Sequence, residues 1–277
     1  MEVITAKNLP MEDTYIYPVG DVQLGAPGFH KSTFQRYIAE GMERNAWFIG
    51  MGDYVDVASP SNRKRWHDAE PYDNFRMMVE DAAQRHEEEF FELVKGTESR
   101  WLGLHEGHHF FDFEDGTTTD TRLAKRLKAP FIGTVAYTIL SFKRSTNASR
   151  RFVIWSTHGY GGGGKMAASI NKLENLLVGQ EGVDLFLIGH YHRQVMAKAA
   201  RIRPTGKPPY HITHRNVMLV TTGGFLRGYL EGSRQYGRAQ GDYVEKALMN
   251  PVALGGSPVK IEFVWRDGDY IPEPRPA

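Results

Sequence analysis

The chain has 277 residues, 41% hydrophobic and 12% aromatic, enough to bury a sizeable core in one large α/β domain or two intimate halves. It has no cysteine, which excludes disulfides, thiolate metal sites and cysteine nucleophiles; any metal must sit on imidazole, carboxylate and amide ligands. Lys plus Arg (34) balance Asp plus Glu (33) to a formal charge of +1, which excludes the strong overall field of a dedicated nucleic-acid coat.

Taken in chain order, short runs rich in β-branched and aromatic residues predict strands over 14–19, 46–51, 100–104, 135–142, 152–156, 185–188, 216–221 and 259–265. Between them, helical patterns fall over 31–44, 72–95, 119–127 and 165–177, and Thr117-Thr118-Thr119-Asp120 offers N-cap chemistry to the third. Strands that alternate with helices and then continue with few of them predict two sheets packed face to face with helices outside, in one domain over 1–277. From Ile271 the Pro-rich end reads as a flexible tail over 271–277. No apolar run approaches the roughly 18–20 residues that span a bilayer, and no basic and apolar leader opens the chain, so a cytoplasmic protein without membrane contact is expected.

Five segments hold most of the metal-capable side chains: Gly20-Asp21-Val22-Gln23, Gly52-Asp53-Tyr54-Val55-Asp56, Gly107-His108-His109, Thr157-His158-Gly159 and Gly189-His190-Tyr191-His192. Four of them follow strand-like runs, so a parallel-type sheet would deliver the ligands to one rim, where a two-metal hydrolytic centre can assemble. The glycines before Asp21 and Asp53 let the backbone turn sharply there. His190 and His192 are two apart, and both can reach a metal cluster from the loop after a strand. His86, beside Glu87, Glu88 and Glu89, reads instead as part of an exposed ion pair. His30, His67, His211 and His214 have no motif context and read as surface or hydrogen-bonding residues.

In this order the motifs resemble those of the calcineurin-like metallophosphoesterase family, and look most like its phage-type and archaeal-type branch. The resemblance runs from about Gly20 to His192, with weaker similarity at 222–226. It implies a four-layer αββα sandwich of two mixed sheets flanked by helices. It also implies that Asp21, Gln23, Asp53 and His192 surround one ion, and that Asp53, His108, His158 and His190 surround a second, with Asp53 as the bridge. His109 would stand beside the leaving group, oriented by Asp56. The implied activity is hydrolysis of a phosphodiester or phosphomonoester by a hydroxide activated between two divalent ions, manganese first, with zinc, iron, nickel or magnesium as alternatives. Nucleotides and nucleic acid are among the candidate substrates.

Two motifs depart from the family pattern. The first is normally Asp-x-His, and here the histidine is Gln23. The third is normally Gly-Asn-His followed by an acid, and here His108 replaces the asparagine and Phe110 the acid. A second register, Gly103-Leu104-His105-Glu106, keeps the acid but puts leucine at a ligand position, so His105 and Glu106 stand in reserve. With the first register one site is rich in imidazole and the other poor, which predicts one tightly held ion and one labile ion.

Other readings compete. Gly159 to Lys165 fits a phosphate-cradling P-loop between strand and helix, but Met166 takes the place of its Ser or Thr. A degenerate relative would keep the fold and bind a phosphorylated or nucleic-acid ligand without hydrolysing it. The stretch 191–230 has no acid and several bases, among them Arg193, Arg201, Lys207 and Arg215; it reads either as a phosphate-attracting wall, which would favour a diester, or as a solvated hairpin around 204–209. Arg63, Lys64 and Arg65 read either as contacts to a second phosphate or nucleotide, or as a solvated turn.

Overall fold

The computed structural model describes residues 1–57, 59–69, 72–145, 148–162, 165–204, 209–235, 237–241, 243–266 and 269–277. The strands are β1 (Glu2–Pro10), β2 (Thr14–Val19), β3 (Trp47–Gly50), β4 (Trp101–His105), β5 (Phe131–Gly133), β6 (Val135–Ser145), β7 (Ala148–Thr157), β8 (Leu185–Ile188), β9 (Gln194–Pro204), β10 (Ile212–Gly224), β11 (Arg234–Gln235), β12 (Arg238–Ala239), β13 (Gly255–Gly256), β14 (Val259–Arg266) and β15 (Asp269–Pro276). The helices are α1 (Lys31–Glu43), α2 (Pro60–Ala69), α3 (Asp73–Leu93), α4 (Thr119–Arg126), α5 (Ala167–Gly179) and the short α6 (Tyr243–Lys246).

Two mixed sheets form the centre. One runs β1-β6-β7-β8-β10-β13 with β9 paired to β10; the other runs β15-β14-β2-β3-β4-β5. The segment β2 to β5 is parallel throughout, and so are β7, β8 and β10. Parallel strands are buried on both faces, which is why they read as continuous apolar runs. Alternate residues then sort into layers. Ile16 and Ile49 meet Ile154 and Leu187 between the sheets, while Tyr17 and Phe48 face Phe34, Tyr37, Phe90 and Leu123 of α1, α3 and α4. On the far side, Trp155 and Phe186 pack with Leu173 of α5. The result is helix, sheet, sheet, helix, the four-layer αββα arrangement. Each fully buried side chain of this size contributes about 1.5–3 kcal/mol, so it is the inter-sheet slab that fixes the register of both sheets.

The Thr118 hydroxyl caps α4, accepting from Thr121 N at 3.1 Å while Thr121 Oγ1 accepts from Thr118 N at 2.8 Å. No helix among the described residues is long and apolar enough to cross a membrane.

The end of the chain corrects a sequence reading. Residues 271–277 read as a flexible tail, yet β15 is an edge strand paired along its length with β14, from Asp269 opposite Arg266 to Pro276 opposite Val259. Pro272, Pro274 and Pro276 alternate, so their missing N–H groups all fall on the side away from the ladder, where an edge strand needs none. Between them Glu273 is buried, ion-paired with Arg266 at 2.9 Å and accepting from Asn216 Nδ2 at 2.9 Å. The 191–230 stretch forms the arms of a β9–β10 hairpin, paired from Gln194–Thr222 out to Pro204–Ile212; its tip, including Lys207, lies outside the described residues.

Candidate metal centre

All the candidate residues leave the C-terminal ends of parallel strands. Asp21 and Gln23 follow β2, Asp53 and Asp56 follow β3, and His108 and His109 follow β4; His158 follows β7, and His190 and His192 follow β8. Past the strand ends the first two loops continue to zip together, with Asp21 N donating to Gly52 O at 3.0 Å and Gln23 N to Asp53 O at 3.0 Å. Turning side chains back toward one another costs backbone strain. Asp21, Gln23, Asp53, His190 and His192 all have φ between +49° and +69°, five of the eleven such non-glycine residues described. Each costs on the order of 1–3 kcal/mol, and that strain is concentrated where the polar side chains meet. Gly52 (φ +90°) is compelled as well, since a Cβ there would lie 2.7 Å from both Gly107 Cα and His158 Nδ1.

Two groups of ligand atoms form, one from His108, His158 and His190 and one from Asp21, Asp53 and His158; within each, the atoms lie no more than 4.8 Å apart. The three imidazoles stand edge to face, with ring centroids 4.6 Å (His108–His158), 4.8 Å (His108–His190) and 5.3 Å (His158–His190) apart. His158 belongs to both groups, and Asp53 ties the surrounding loops together. Its Oδ1 accepts from the backbone N–H of His108 and, at 3.0 Å, of His109; its Oδ2 accepts from Gln23 Nε2 at 3.0 Å and lies 3.5 Å from His158 Nε2. Asp21 Oδ2 accepts from His190 N at 2.8 Å, and its Oδ1 lies 3.5 Å from His192 Nε2. His109 is held through Nδ1 to Asp56 Oδ1 at 2.7 Å, and its Nε2 points inward, 4.0 Å from Asp53 Oδ2.

The electrostatics follow from burial and crowding. Burial pushes the Asp21 carboxyl up, against the pull of His192 and His158. Burial works the same way on Asp53, but His158 and the other histidines outweigh it and hold the carboxyl far below the usual range. For His158, burial is outweighed by the charges of Asp53 and Asp21, and its pKa rises to about 9. His190 is pushed down to about 4 by burial and by its imidazole neighbours. At His109 burial lowers the pKa, but the Asp56 hydrogen bond and the nearby carboxylates win and raise it.

The donor set suits a divalent ion. His158 Nδ1–H donates to the Met51 carbonyl at 2.6 Å, which orients the ring with Nε2 toward Asp53, where a bound cation would replace the Nε2 proton. That Nε2, Asp21 Oδ1 and Gln23 Oε1 are all buried with no hydrogen-bond partner. Buried polar atoms without partners are costly, and three in one cluster point to something that fills their coordination. These groups could hold a metal ion.

Other candidates are placed elsewhere. His105 is fully buried, with Nδ1 bonded to Gly133 O and Nε2 to Ser156 Oγ, each at 2.8 Å, so neither nitrogen faces the cluster. Glu106 is only partly buried and is no member of either group of ligand atoms. His86 makes no exposed ion pair: its ring packs on Gly25, where a Cβ would come within 2.4 Å, while Glu89 pairs with Lys31 and Glu87 with Arg126. The phosphate-wall reading of 191–230 also fails for Arg201 and Arg215. They stand opposite each other on β9 and β10, before the level at which β8 begins and so at the end of the sheet away from the cluster. The P-loop reading includes Gly163 and Gly164, which lie outside the described residues.

Two residues beside the cluster have roles that sequence reasoning missed. Arg63, on α2, reads as a phosphate contact or a solvated turn. Instead its side chain, 17% exposed, donates to His108 O at 2.6 Å and Phe110 O at 3.1 Å and lies 3.9 Å over the Phe110 ring. Asp120 reads as part of the cap, yet it is buried and its Oδ2 accepts from Gly107 N at 2.8 Å. Burial, with Asp53 and Glu106 nearby, pushes it up to about 7 despite that N–H. Together they grip the loop that carries His108 and His109 from both sides. The only sequence signals were a base three residues from Pro60 and an acid in a helix's first turn, neither of which distinguishes a clamp from a surface.

No family model and no curated protein matches the chain. Among solved structures, a conserved uncharacterized protein of Streptococcus pneumoniae TIGR4, described as a predicted phosphoesterase, is similar at 11% identity and a TM-score of 0.36, over 96% of this chain and 99% of that one. A Thermotoga maritima protein solved by solution NMR is similar at 15% identity and a TM-score of 0.24, over 68% of this chain and 87% of that one. Both superpositions are loose, and the sheet order and layering define the fold on their own.

Proposed function

We propose that the chain is a metal-dependent phosphoesterase of the calcineurin-like metallophosphoesterase type, hydrolysing a phosphodiester or phosphomonoester at the strand-end rim. The observation that carries this is the convergence of Asp21, Asp53 and His158 beside the imidazoles of His108 and His190, with Asp21 Oδ1 and His158 Nε2 buried and without a hydrogen-bond partner. In this reading Asp21, Gln23, Asp53 and His192 hold one divalent ion and Asp53, His108, His158 and His190 hold a second, manganese first among the candidates. When bound, such ions lower the pKa of water and neutralise phosphoryl charge.

The protein's own residues do the rest. Asp53 is fixed by two backbone N–H groups on Oδ1, which leaves Oδ2 directed into the cluster without side-chain reorganisation. Asp56 holds His109 through Nδ1, so the proton it can give sits on Nε2, the nitrogen facing the cluster. The Asp56 hydrogen bond and the nearby carboxylates raise its pKa and so favour the protonated ring, which is exposed enough to regain a proton from solvent. His109 is thereby the general acid for the departing alkoxide.

The test is turnover of bis(p-nitrophenyl) phosphate and of p-nitrophenyl phosphate after chelation, with each divalent ion added back. The expected result is activity that depends on added metal. No turnover with any ion, alongside retained binding of phosphorylated ligands, would leave a binding module. The uneven ligand sets also predict that dialysis removes one ion and spares the other; two ions retained equally would contradict the assignment.

A further inference from the structure

The glycine-rich run after β7 puts one large side chain beside the cluster. Between Gly159 and Gly164, Tyr160 is the only residue that is not glycine. Its backbone is anchored: the carbonyl accepts from Lys172 Nζ at 2.6 Å and from Tyr191 OH at 3.1 Å. Lys172 Nζ and Tyr191 OH also bond to each other at 2.5 Å, and the Tyr191 ring lies edge-on to His190, so the anchor is built into the cluster's own wall. The Tyr160 ring, by contrast, is 81% exposed, although it meets His108 edge to face with centroids 5.9 Å apart.

A fixed backbone that presents an open aromatic ring at the mouth of a polar site has a recognisable physical use. Water gains nothing from the ring, whereas a planar π-system laid on it removes apolar surface from water and adds stacking. We infer that Tyr160 is a stacking platform for a nucleobase, and that the ligands this site favours are mononucleotide phosphoesters. The inference rests on the phosphoester reading of the same site. A long nucleic-acid strand fits less well, because Arg201 and Arg215, two bases of the acid-free segment, lie at the opposite end of the sheet and leave Arg193 as the base next to the cluster's His192. Adenosine and ribose phosphates share the phosphate and the sugar, so any difference between them isolates the base.

Calorimetric titration of the manganese-loaded protein with adenosine 5′-phosphate and with ribose 5-phosphate tests the platform. The wild type is expected to bind the adenosine compound about 10-fold more tightly, within the range of base–aromatic stacking. Tyr160→Ala should abolish that preference and leave ribose 5-phosphate affinity unchanged, while Tyr160→Phe should keep it. Equal affinities in the wild type, or a preference that survives in Tyr160→Ala, would overturn the inference. Turnover of bis(p-nitrophenyl) phosphate and of p-nitrophenyl phosphate, measured in parallel, separates the two claims: a lost preference in Tyr160→Ala without wild-type turnover of either ester supports the platform and removes hydrolysis. Turnover without any adenosine preference removes the platform and spares hydrolysis.

Discussion

The two ends of the sandwich bury similar chemistry and resolve it in opposite ways. At the rim, Asp21 Oδ1 and His158 Nε2 stand 3.5 Å from His192 and Asp53, too far for close pairing, and the backbone is strained to bring these groups together. At the other end, Asp184 is as deeply buried, but it accepts from Val153 N at 2.8 Å and is ion-paired to Arg215 at 2.5 Å. Glu273 there faces Arg266 at 2.9 Å and Arg275 at 3.6 Å. A cavity of about 360 Å³ opens at this end, lined by Arg150, Arg215 and Arg266, whose charges are taken up by Asp269, Asp184 and Glu273. One end has spent its charges on the fold, while the other holds them for something that is not part of the chain.

That contrast separates loss of function from loss of stability. The largest effect is expected at the rim, where Asp53→Asn should drop phosphoesterase activity to background while the circular dichroism spectrum stays native. His109→Ala should lower kcat about 10²–10⁴-fold, the range of general acid catalysis, with metal content unchanged by elemental analysis. At the opposite end the order reverses: Asp184→Asn strands Arg215, and denaturant titration should show a loss of about 3–5 kcal/mol with normal activity per folded molecule.

His105 sharpens the comparison through pH. Burial, only partly opposed by the Gly133 hydrogen bond, lowers its pKa to about 4, against an ordinary value near 6.5 in the unfolded chain. As pH falls below about 6.5 the unfolded state takes up this proton first, so the neutral histidine's contribution is complete above that pH and is lost on the way to 4. Roughly 3 kcal/mol of acid sensitivity over that window is expected, and the stability-versus-pH slope of His105→Asn should lack it. The smallest effect belongs to the clamp: Arg63→Ala should weaken metal binding or activity about 10–100-fold by calorimetry and steady-state rates, as loss of an outer-shell partner does.

Much of this was legible in the sequence because parallel strands leave a plain signature, an apolar run that ends in a small residue and then a carboxylate or imidazole. That pattern places Asp21, Asp53, His158 and His190 at one rim before any coordinates. The αββα layering follows from the same runs. Strands with mixed faces escaped: β1 and β9 alternate with lysine, arginine and alanine, and β15 looks like a loop because proline is read as a breaker rather than as an edge residue. Arg63 and Asp120 escaped for another reason. Each acts on the backbone of a loop more than forty or ten residues away, and a backbone acceptor or donor has no residue type to recognise. The acid-free segment misled because sequence proximity to His192 does not survive a hairpin that runs away from the rim.

Anomalous diffraction from a manganese-soaked crystal tests the central claim most directly. Two manganese peaks are expected at the rim, one against Asp21, Gln23, Asp53 and His192 and one against Asp53, His108, His158 and His190. Manganese bound only at the arginine-lined end, or none at the rim with Asp53 and His158 placed as here, would contradict it.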